Sequence, residues 1–209
     1  MQTHWAEENL HVIRTLMERS LMYRRALAPM MLLTGVFGAV AAVIGWVKDF
    51  SEPRTFVTYW LLVAVVTLVA DYALVRRAAF KEKEAFWSPP TRRVTQAWIP
   101  PLLAGAMFSS GVFLGNDTTA AAVWRLLPLW MVFYGCGMNA AGFFMQRGIK
   151  LFGWLFVLSG ITLLFCHTFL QSSPPPMRDA HVYMGLFFGG LHLAYGVYLY
   201  FTENRKQPA

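Results

Sequence analysis

Histidines inside apolar segments are the residues of this chain with the clearest chemical potential. His192 shares a helical stripe with His181, Gly185, Gly189 and Gly196, because spacings of four, four, three and four residues keep one face. An ionisable side chain at the depth of His192 marks a candidate functional site. We interpret His192 either as a ligand or proton-relay group, or as a neutral imidazole hydrogen-bonded to a neighbouring helix.

Haem is the cofactor that these histidines suggest, with His167 as a further candidate ligand. Two axial histidines approach one iron from opposite faces and therefore need similar depths. His167 lies near the outer end of its predicted helix, whereas His192 lies eleven residues beyond His181. At ~1.5 Å per residue, the mismatch between His167 and His192 is on the order of 8–12 Å. His181 matches His167 better but is expected near water, so haem is a minor alternative.

Two further polar residues, Asp71 and Asn139, are expected at similar depths near the inner ends of the second and fourth apolar segments. Asp71 is a candidate proton or cation site. The alternative is a carboxylate at the membrane boundary, paired with an arginine such as Arg76, Arg77 or Arg147. His192, Asp71 and Asn139 are therefore the candidate ligand-binding residues.

Sequence motifs of common enzymes are absent. The chain has no P-loop, no HExxH, no GxSxG and no acidic metal-binding constellation. Cys136 and Cys166 both fall inside apolar runs and lack the spacing of a metal or redox motif. We therefore assign no catalytic and no metal-binding residues, and we favour a protein that is not an enzyme.

Small residues at four-residue spacing predict where helices approach closely. Gly185 and Gly189 form a GxxxG pair in the last apolar segment, and Gly35 and Gly38 belong to similar pairs in the first. Such pairs serve either packing within one bundle or a homodimer interface.

Composition determines the fold class. Of the 209 residues 56% are hydrophobic and only 14% are charged, against about a quarter charged in soluble domains. Apolar runs long enough to cross a ~30 Å hydrocarbon core alternate with short charged stretches. We predict an all-α integral membrane protein with six transmembrane helices, at Pro29–Val47, Phe56–Val75, Pro101–Leu114 with some preceding residues, Ala120–Phe144, Leu151–Leu170 and His181–Tyr200.

Positive charges predict the orientation of this bundle. Fourteen of the 18 lysines and arginines lie on the side of the two termini, and only Lys48, Arg54, Arg125 and Arg178 lie on the other. The positive-inside rule then places both termini in the cytoplasm. The net charge of +7 fits anionic lipid headgroups as partners rather than nucleic acid, because no soluble basic domain is present.

Regions flanking and within the bundle complete the predicted organisation. Residues 1–25 form a cytoplasmic region whose segment 7–25 has the apolar stripe of an amphipathic interfacial helix. Residues 26–201 form the transmembrane domain, and residues 202–209 form a cytoplasmic tail. A shift of 70 positions aligns 29–77 with 99–147, which suggests three tandem helical hairpins.

One short segment carries a family resemblance. Residues 13–20 (IRTLMERS), followed by Tyr23-Arg24-Arg25, resemble the start of an uncharacterised group of bacterial multi-span inner-membrane proteins. The resemblance covers the N-terminal helix and the first span, and it implies a location but no activity.

These observations lead to three functional hypotheses. The first is a non-enzymatic sensor, regulator or assembly factor with a cytoplasmic protein partner or a second copy of itself. The alternatives are a small-solute or ion transporter or channel, and a haem-binding membrane redox subunit.

Overall fold

A computed structural model describes residues 27–81, 87, 89–115, 119–145, 147–170 and 173–204, and shows helices without strands over these ranges. Six of the helices are long and apolar enough to cross a membrane. The prediction of an all-α fold with six membrane-length helices is therefore confirmed. The predicted helix over residues 7–25 and the tail beyond Asn204 lie outside the described residues.

Five of the six helices are longer than the apolar runs predicted, whereas α4 ends at Ala141 rather than at the predicted Phe144. In chain order they are α1 Leu27–Val47, α2 Pro53–Lys81, α3 Pro89–Leu114, α4 Ala120–Ala141, α5 Arg147–Phe165 with a π-helical continuation Cys166–Leu170, and α6. Helix α6 consists of Met177–Met184, a π-helical stretch Gly185–Leu191 and His192–Asn204.

The start of α3 differs from the prediction. Pro100 and Pro101 were expected in its first turn, but α3 begins at Pro89 and carries both prolines in its interior. A helix starting at Pro101 would span only ~21 Å, which is too short for a ~30 Å hydrocarbon core. Interior prolines are tolerated in such helices because neighbouring groups satisfy the freed carbonyls.

An acidic residue caps α2 at its start. Glu52 precedes Pro53, and its carboxylate accepts hydrogen bonds from the backbone N–H of Arg54 and Thr55 at 3.1 and 2.6 Å. The Thr55 hydroxyl donates a further bond to the same carboxylate at 2.7 Å. These bonds lower the pKa of Glu52, most strongly through Thr55. Proline at the first helical position completes this start, since its missing N–H would have no partner there.

Helix α4 lies at the centre of the bundle. It packs most extensively against α5 and α3 and also contacts α2 and α6. Half of its apolar stretch is buried, compared with 11% for α2 and for α3, which therefore face outward over most of their surface. The largest fully buried side chains around α4 include Trp124, Leu127, Met131, Phe56 and Phe156.

Two names describe the ends of the bundle. The basic end is where α1, α3 and α5 start and where α2, α4 and α6 finish. The far end holds the connections after α1, α3 and α5. Helix α6 runs antiparallel to α1, because Gly45 lies against His181 near the far end and Gly196 lies against Leu32 near the basic end.

Candidate functional site

His192 is fully buried, and both of its ring nitrogens make hydrogen bonds. Its Nδ1 atom lies 3.2 Å from the carbonyl oxygen of Phe187, and its Nε2 atom lies 2.5 Å from the Tyr134 hydroxyl oxygen on α4. A carbonyl only accepts, so Nδ1 carries the hydrogen and Nε2 accepts from the tyrosine. The structure therefore places a neutral imidazole bonded to a neighbouring helix, which is one of the two interpretations drawn from the sequence.

The π-helical stretch of α6 supplies one of these partners. A π-helix bonds each N–H to the carbonyl five residues earlier, and such turns are frequent at functional sites. Phe187 lies within this stretch and five residues before His192, so its carbonyl is within reach of the imidazole. The sequence GLFFGGL of the stretch is rich in glycine.

Aromatic rings enclose the imidazole of His192. Phe152 and Phe156 of α5 meet it edge-on at ring-centroid distances of 5.0 and 5.4 Å, and Phe188 stacks on it at 6.1 Å. This apolar surround disfavours a charged imidazole. The His192 side chain has no exposed surface in the structure, so a ligand could not reach it without movement of these rings.

His181 does not lie near water as the sequence suggested. It is fully buried one helical turn inside α6, because the helix begins at Met177. Trp60 donates its indole N–H to His181 Nδ1 at 3.1 Å, and His181 Nε2 donates to the Phe50 carbonyl at 3.1 Å. Both nitrogens are thus used in holding the far end together, and neither is open to a haem iron.

His167 lies at the far end in contact with a cavity. Its ring packs against Trp124 at a centroid distance of 4.7 Å, and Trp124 donates its indole N–H to the Pro175 carbonyl at 2.9 Å. The cavity has a volume of about 290 Å³, and Arg125 and Thr168 also line it. This cavity could not be predicted from the sequence, because its walls come from α4, α5 and the connection to α6.

Asp71 contacts α1 through a hydroxyl group. Its Oδ2 atom accepts a hydrogen bond from Thr34 Oγ1 at 3.0 Å. The other carboxylate oxygen, Oδ1, is buried and has no hydrogen-bond partner among the described residues. One alternative from the sequence was an arginine as the partner of this carboxylate. In the structure the partner of Oδ2 is Thr34. Asp71 is also within electrostatic reach of Tyr134.

Thr34, Asp71, Tyr134 and His192 form what we call the polar layer. The two pairs have similar depth, because Gly35, next to Thr34, packs directly against the backbone of Leu193, next to His192. Sequence reasoning identified Asp71 and His192 but missed Thr34 and Tyr134. The sequence carried only a partial signal for Tyr134, since it lies 14 residues from the predicted start of the fourth segment and His192 lies eleven from the predicted start of the sixth.

Asn139 is separate from the polar layer. Its side-chain amide donates to the Lys150 carbonyl of α5 at 3.4 Å, a long hydrogen bond near the basic end. Gly153 packs against the Asn139 backbone, so this part of α4 and α5 is a close helix contact. The position of Asn139 thus fits packing of α4 on α5 rather than a shared site with Asp71.

The four candidate packing glycines all lie between α1 and α6 of the same chain. A Cβ atom on Gly35 would approach Leu193 N to 2.6 Å, and one on Gly38 would approach the Phe188 carbonyl oxygen to 2.5 Å. From the other side, Gly185 and Gly189 face Ala42 and Ala39 of α1. These contacts are intrachain packing, which was one of the two alternatives for them.

Over the residues that the structure describes, no group of three or more histidine, cysteine or acidic side chains is arranged to hold a metal ion. Cys136 and Cys166 are free thiols. Comparison of the chain with family models, with curated proteins and with solved structures finds no match.

Proposed function

We propose that this chain is a multi-pass inner-membrane protein with cytoplasmic termini that acts as a non-enzymatic sensor, regulator or assembly factor. The observation that carries the proposal is the length of α2 and α3, which carry exposed basic side chains at the basic end. Helices of 29 and 26 residues measure ~43 and ~39 Å, which exceeds a ~30 Å hydrocarbon core. The excess forms a basic platform of exposed side chains: Arg76, Arg77, Lys81, Arg92 and Arg93.

The platform suits contact with acidic groups. Positive side chains beside a membrane attract anionic headgroups and acidic protein surfaces. In contrast, His181 and His192 use their ring nitrogens inside the bundle. The groups available for recognition are therefore concentrated at the basic end, which supports a cytoplasmic partner over interior catalysis.

A photo-crosslinking amino acid at Lys81 tests the proposal in living cells. We expect a discrete protein adduct that disappears when Arg92 and Arg93 are both replaced by Gln. The matched control carries the crosslinker at Lys48 of the far end, where we expect no such adduct. Crosslinks to lipid alone, or adducts that do not respond to Arg92→Gln and Arg93→Gln, would contradict a protein partner at the platform.

The N-terminal segment 7–25 is proposed to extend this surface along the membrane. A synthetic peptide of this segment should become helical on anionic vesicles, and salt should weaken its association. A peptide that does not bind vesicles would indicate a helix that docks on a protein instead. In that case the substitutions Leu10→Ser, Ile13→Ser and Met17→Ser in the full chain should abolish the crosslink to the partner.

A second candidate function is transport of a small solute or ion. The polar layer favours it, because Asp71 places a carboxylate against Thr34 inside an apolar bundle. Substrate-dependent uptake into liposomes, lost in Asp71→Asn, would support this candidate. The haem alternative depends on His167, and a purified protein without a Soret absorption band would remove it.

Three tandem hairpins remain a proposal for the origin of the bundle. Trp60 and Trp130 are equivalent under the 70-residue shift, and each donates its indole N–H to another helix, to His181 and to Ser109 respectively. This shared role supports the repeat, although the acceptor helices differ.

A further inference from the structure

The carboxyl group of Asp71 is the one ionisable group of the polar layer with an unused buried atom. Its Oδ2 atom accepts from Thr34 at 3.0 Å, and its Oδ1 atom is buried without a hydrogen-bond partner in the described part of the chain. An unpaired carboxylate in hydrocarbon is expensive, so such groups take up a proton, a cation or a counter-charge. The question is which of these three the surroundings of Asp71 provide.

Groups facing Asp71 from the packed helices do not supply a counter-charge. Helix α1 contributes the neutral Thr34 hydroxyl, and α4 contributes Tyr134, whose phenol hydrogen is donated to His192 of α6. On α2 itself, Arg76 is exposed and lies over the Phe80 ring at 5.5 Å. Among the side chains that the structure describes, no cation thus contacts the buried oxygen.

A bound metal cation fits the site less well than a proton. Sodium and other hard cations need a shell of several oxygen ligands. Besides the two carboxylate oxygens, the contacts of the described residues bring only the Thr34 hydroxyl oxygen to this carboxyl group, which is fewer oxygens than such a shell needs. A single oxygen is enough to hold a proton.

We infer that Asp71 is a reversible protonation site inside the bundle, with the proton carried on Oδ1 and with Thr34 as the positioning residue. This inference goes beyond the proposed function. It would give either a sensor or a transporter an element that responds to pH, and it holds or fails independently of any partner at the basic platform.

Protonation changes the hydrogen bonds of the site in a definite way. The ionised carboxylate gains from the Thr34 hydroxyl, because a hydrogen bond to a charged acceptor is stronger than one to a neutral acceptor. Proton uptake on Oδ1 removes the charge and weakens that bond, which loosens the link between α1 and α2. Tyr134 also loses a nearby negative charge. Protonation of Asp71 therefore affects both Thr34 and Tyr134.

Dicyclohexylcarbodiimide tests the inference on the purified full chain. This apolar reagent adds to protonated carboxyl groups and is retained as an N-acylurea, which mass spectrometry locates in a peptide. We expect an adduct at Asp71 whose yield falls as pH rises, and no adduct at the exposed Asp49 or Glu52. Absence of labelling at Asp71 at every pH in folded protein, or equal labelling at Asp49 and Glu52, would overturn the inference.

Sodium distinguishes a proton from a metal ion. Replacing potassium by sodium at constant ionic strength should leave the labelling profile unchanged. Protection by sodium alone would overturn the assignment to a proton and would identify a cation site instead.

Variants of Thr34 provide a readout that a merely structural role would not change. Thr34→Val removes the donor to the carboxylate, so the pH at which labelling is half-maximal should rise by about one to two units. Thr34→Ser keeps the hydroxyl and should retain the original midpoint. An unshifted midpoint in Thr34→Val would overturn the role of Thr34, and Asp71→Asn should abolish the adduct at this position.

Discussion

The Tyr134 hydroxyl of α4 donates a hydrogen bond to the Nε2 atom of His192 on α6 across 2.5 Å, although the two residues are 58 positions apart. The opposite ring nitrogen of His192 donates to Phe187 within α6. This pair therefore connects the central helix to the glycine-rich helix, and it fixes the imidazole as the neutral tautomer with hydrogen on Nδ1.

A double-mutant cycle on this pair should reveal coupling between the two helices. His192→Leu and Tyr134→Phe should each lower the free energy of unfolding by about 0.5–2 kcal/mol, since each removes one interhelical hydrogen bond. Because they remove the same bond, the double variant should lose less than the sum. Unfolding by dodecyl sulfate in mixed micelles measures these values.

The control for this cycle is Tyr198→Phe, since Tyr198 is 60% exposed on the same helix. We expect its unfolding free energy to stay within about 0.5 kcal/mol of the unmodified protein. Strict additivity of the two pair variants would show that the hydrogen bond does not form. Unchanged stability in His192→Leu together with loss of a cellular phenotype would support a ligand or relay role instead.

The close contact of α1 with α6 leads to a second prediction, which compares two adjacent glycines. A Cβ atom on Gly189 would lie 2.7 Å from the backbone nitrogen of Ala39, whereas one on Gly190 would meet nothing nearer than 3.9 Å. Gly189→Ala should therefore destabilise the protein by about 1–3 kcal/mol through overpacking. Gly190→Ala should change stability by no more than about 0.5 kcal/mol.

The same pair of variants also tests the homodimer interpretation. If the stripe were an interface between copies, Gly189→Ala would change the oligomeric mass in detergent at unchanged monomer stability. Light scattering and unfolding measured on both variants separate these outcomes, and equal destabilisation by both alanines would contradict the α1–α6 contact.

The cap of α2 predicts a dependence of stability on pH at the far end. The hydrogen bonds from Thr55 and Arg54 lower the pKa of Glu52 below its ordinary value of 4.5. A lowered folded-state pKa means that this stabilisation is fully present above about pH 4.5 and is lost as pH falls through the folded-state pKa. Glu52 is exposed, so the contribution is small.

We therefore expect Glu52→Gln to lower the melting temperature slightly at neutral pH and to match the unmodified protein in acid, where Glu52 itself is neutral. Thermal unfolding as a function of pH measures this difference. Asp49→Asn offers a comparison within the same connection. A difference between Glu52→Gln and the unmodified protein that grows as pH falls would show that the carboxylate does not cap α2.

Much of the fold could be predicted from the sequence because membrane-spanning helices are specified locally. Long apolar runs gave the number of helices, and small residues at four-residue spacing identified the faces of α1 and α6 that approach closely. Helix ends were less predictable. Charged residues such as Lys81 and Arg92 extend α2 and α3 beyond their apolar runs. Pro100 and Pro101 lie inside α3 because a membrane-length helix must begin earlier.

The partners of the candidate residues were not predictable, because they depend on which helices become neighbours. Trp60 and His181 are 121 positions apart, and nothing local to either residue indicates that they meet. His181 was expected near water for the same reason, since a buried position one turn inside α6 depends on Phe50 and Trp60 closing over it. Long-range contacts of this kind require the packed bundle.

The last prediction concerns which end of the bundle faces the cytoplasm. Positively charged residues near membrane helices are retained in the cytoplasm, and the basic end holds the exposed platform of α2 and α3. Reporter fusions should therefore read as cytoplasmic after Lys83, Gln146 and Lys206, and as periplasmic after Asp49, Asn116 and Ser173. Alkaline phosphatase and green fluorescent protein, fused in parallel at each position, give opposite signals and so control for expression. Because the stretch from Arg76 to Arg93, which includes the end of α2 and the start of α3, carries six of these charges, a periplasmic signal after Lys83 would reverse the whole assignment. It would also place the basic platform outside the cell membrane, where a cytoplasmic partner could not reach it.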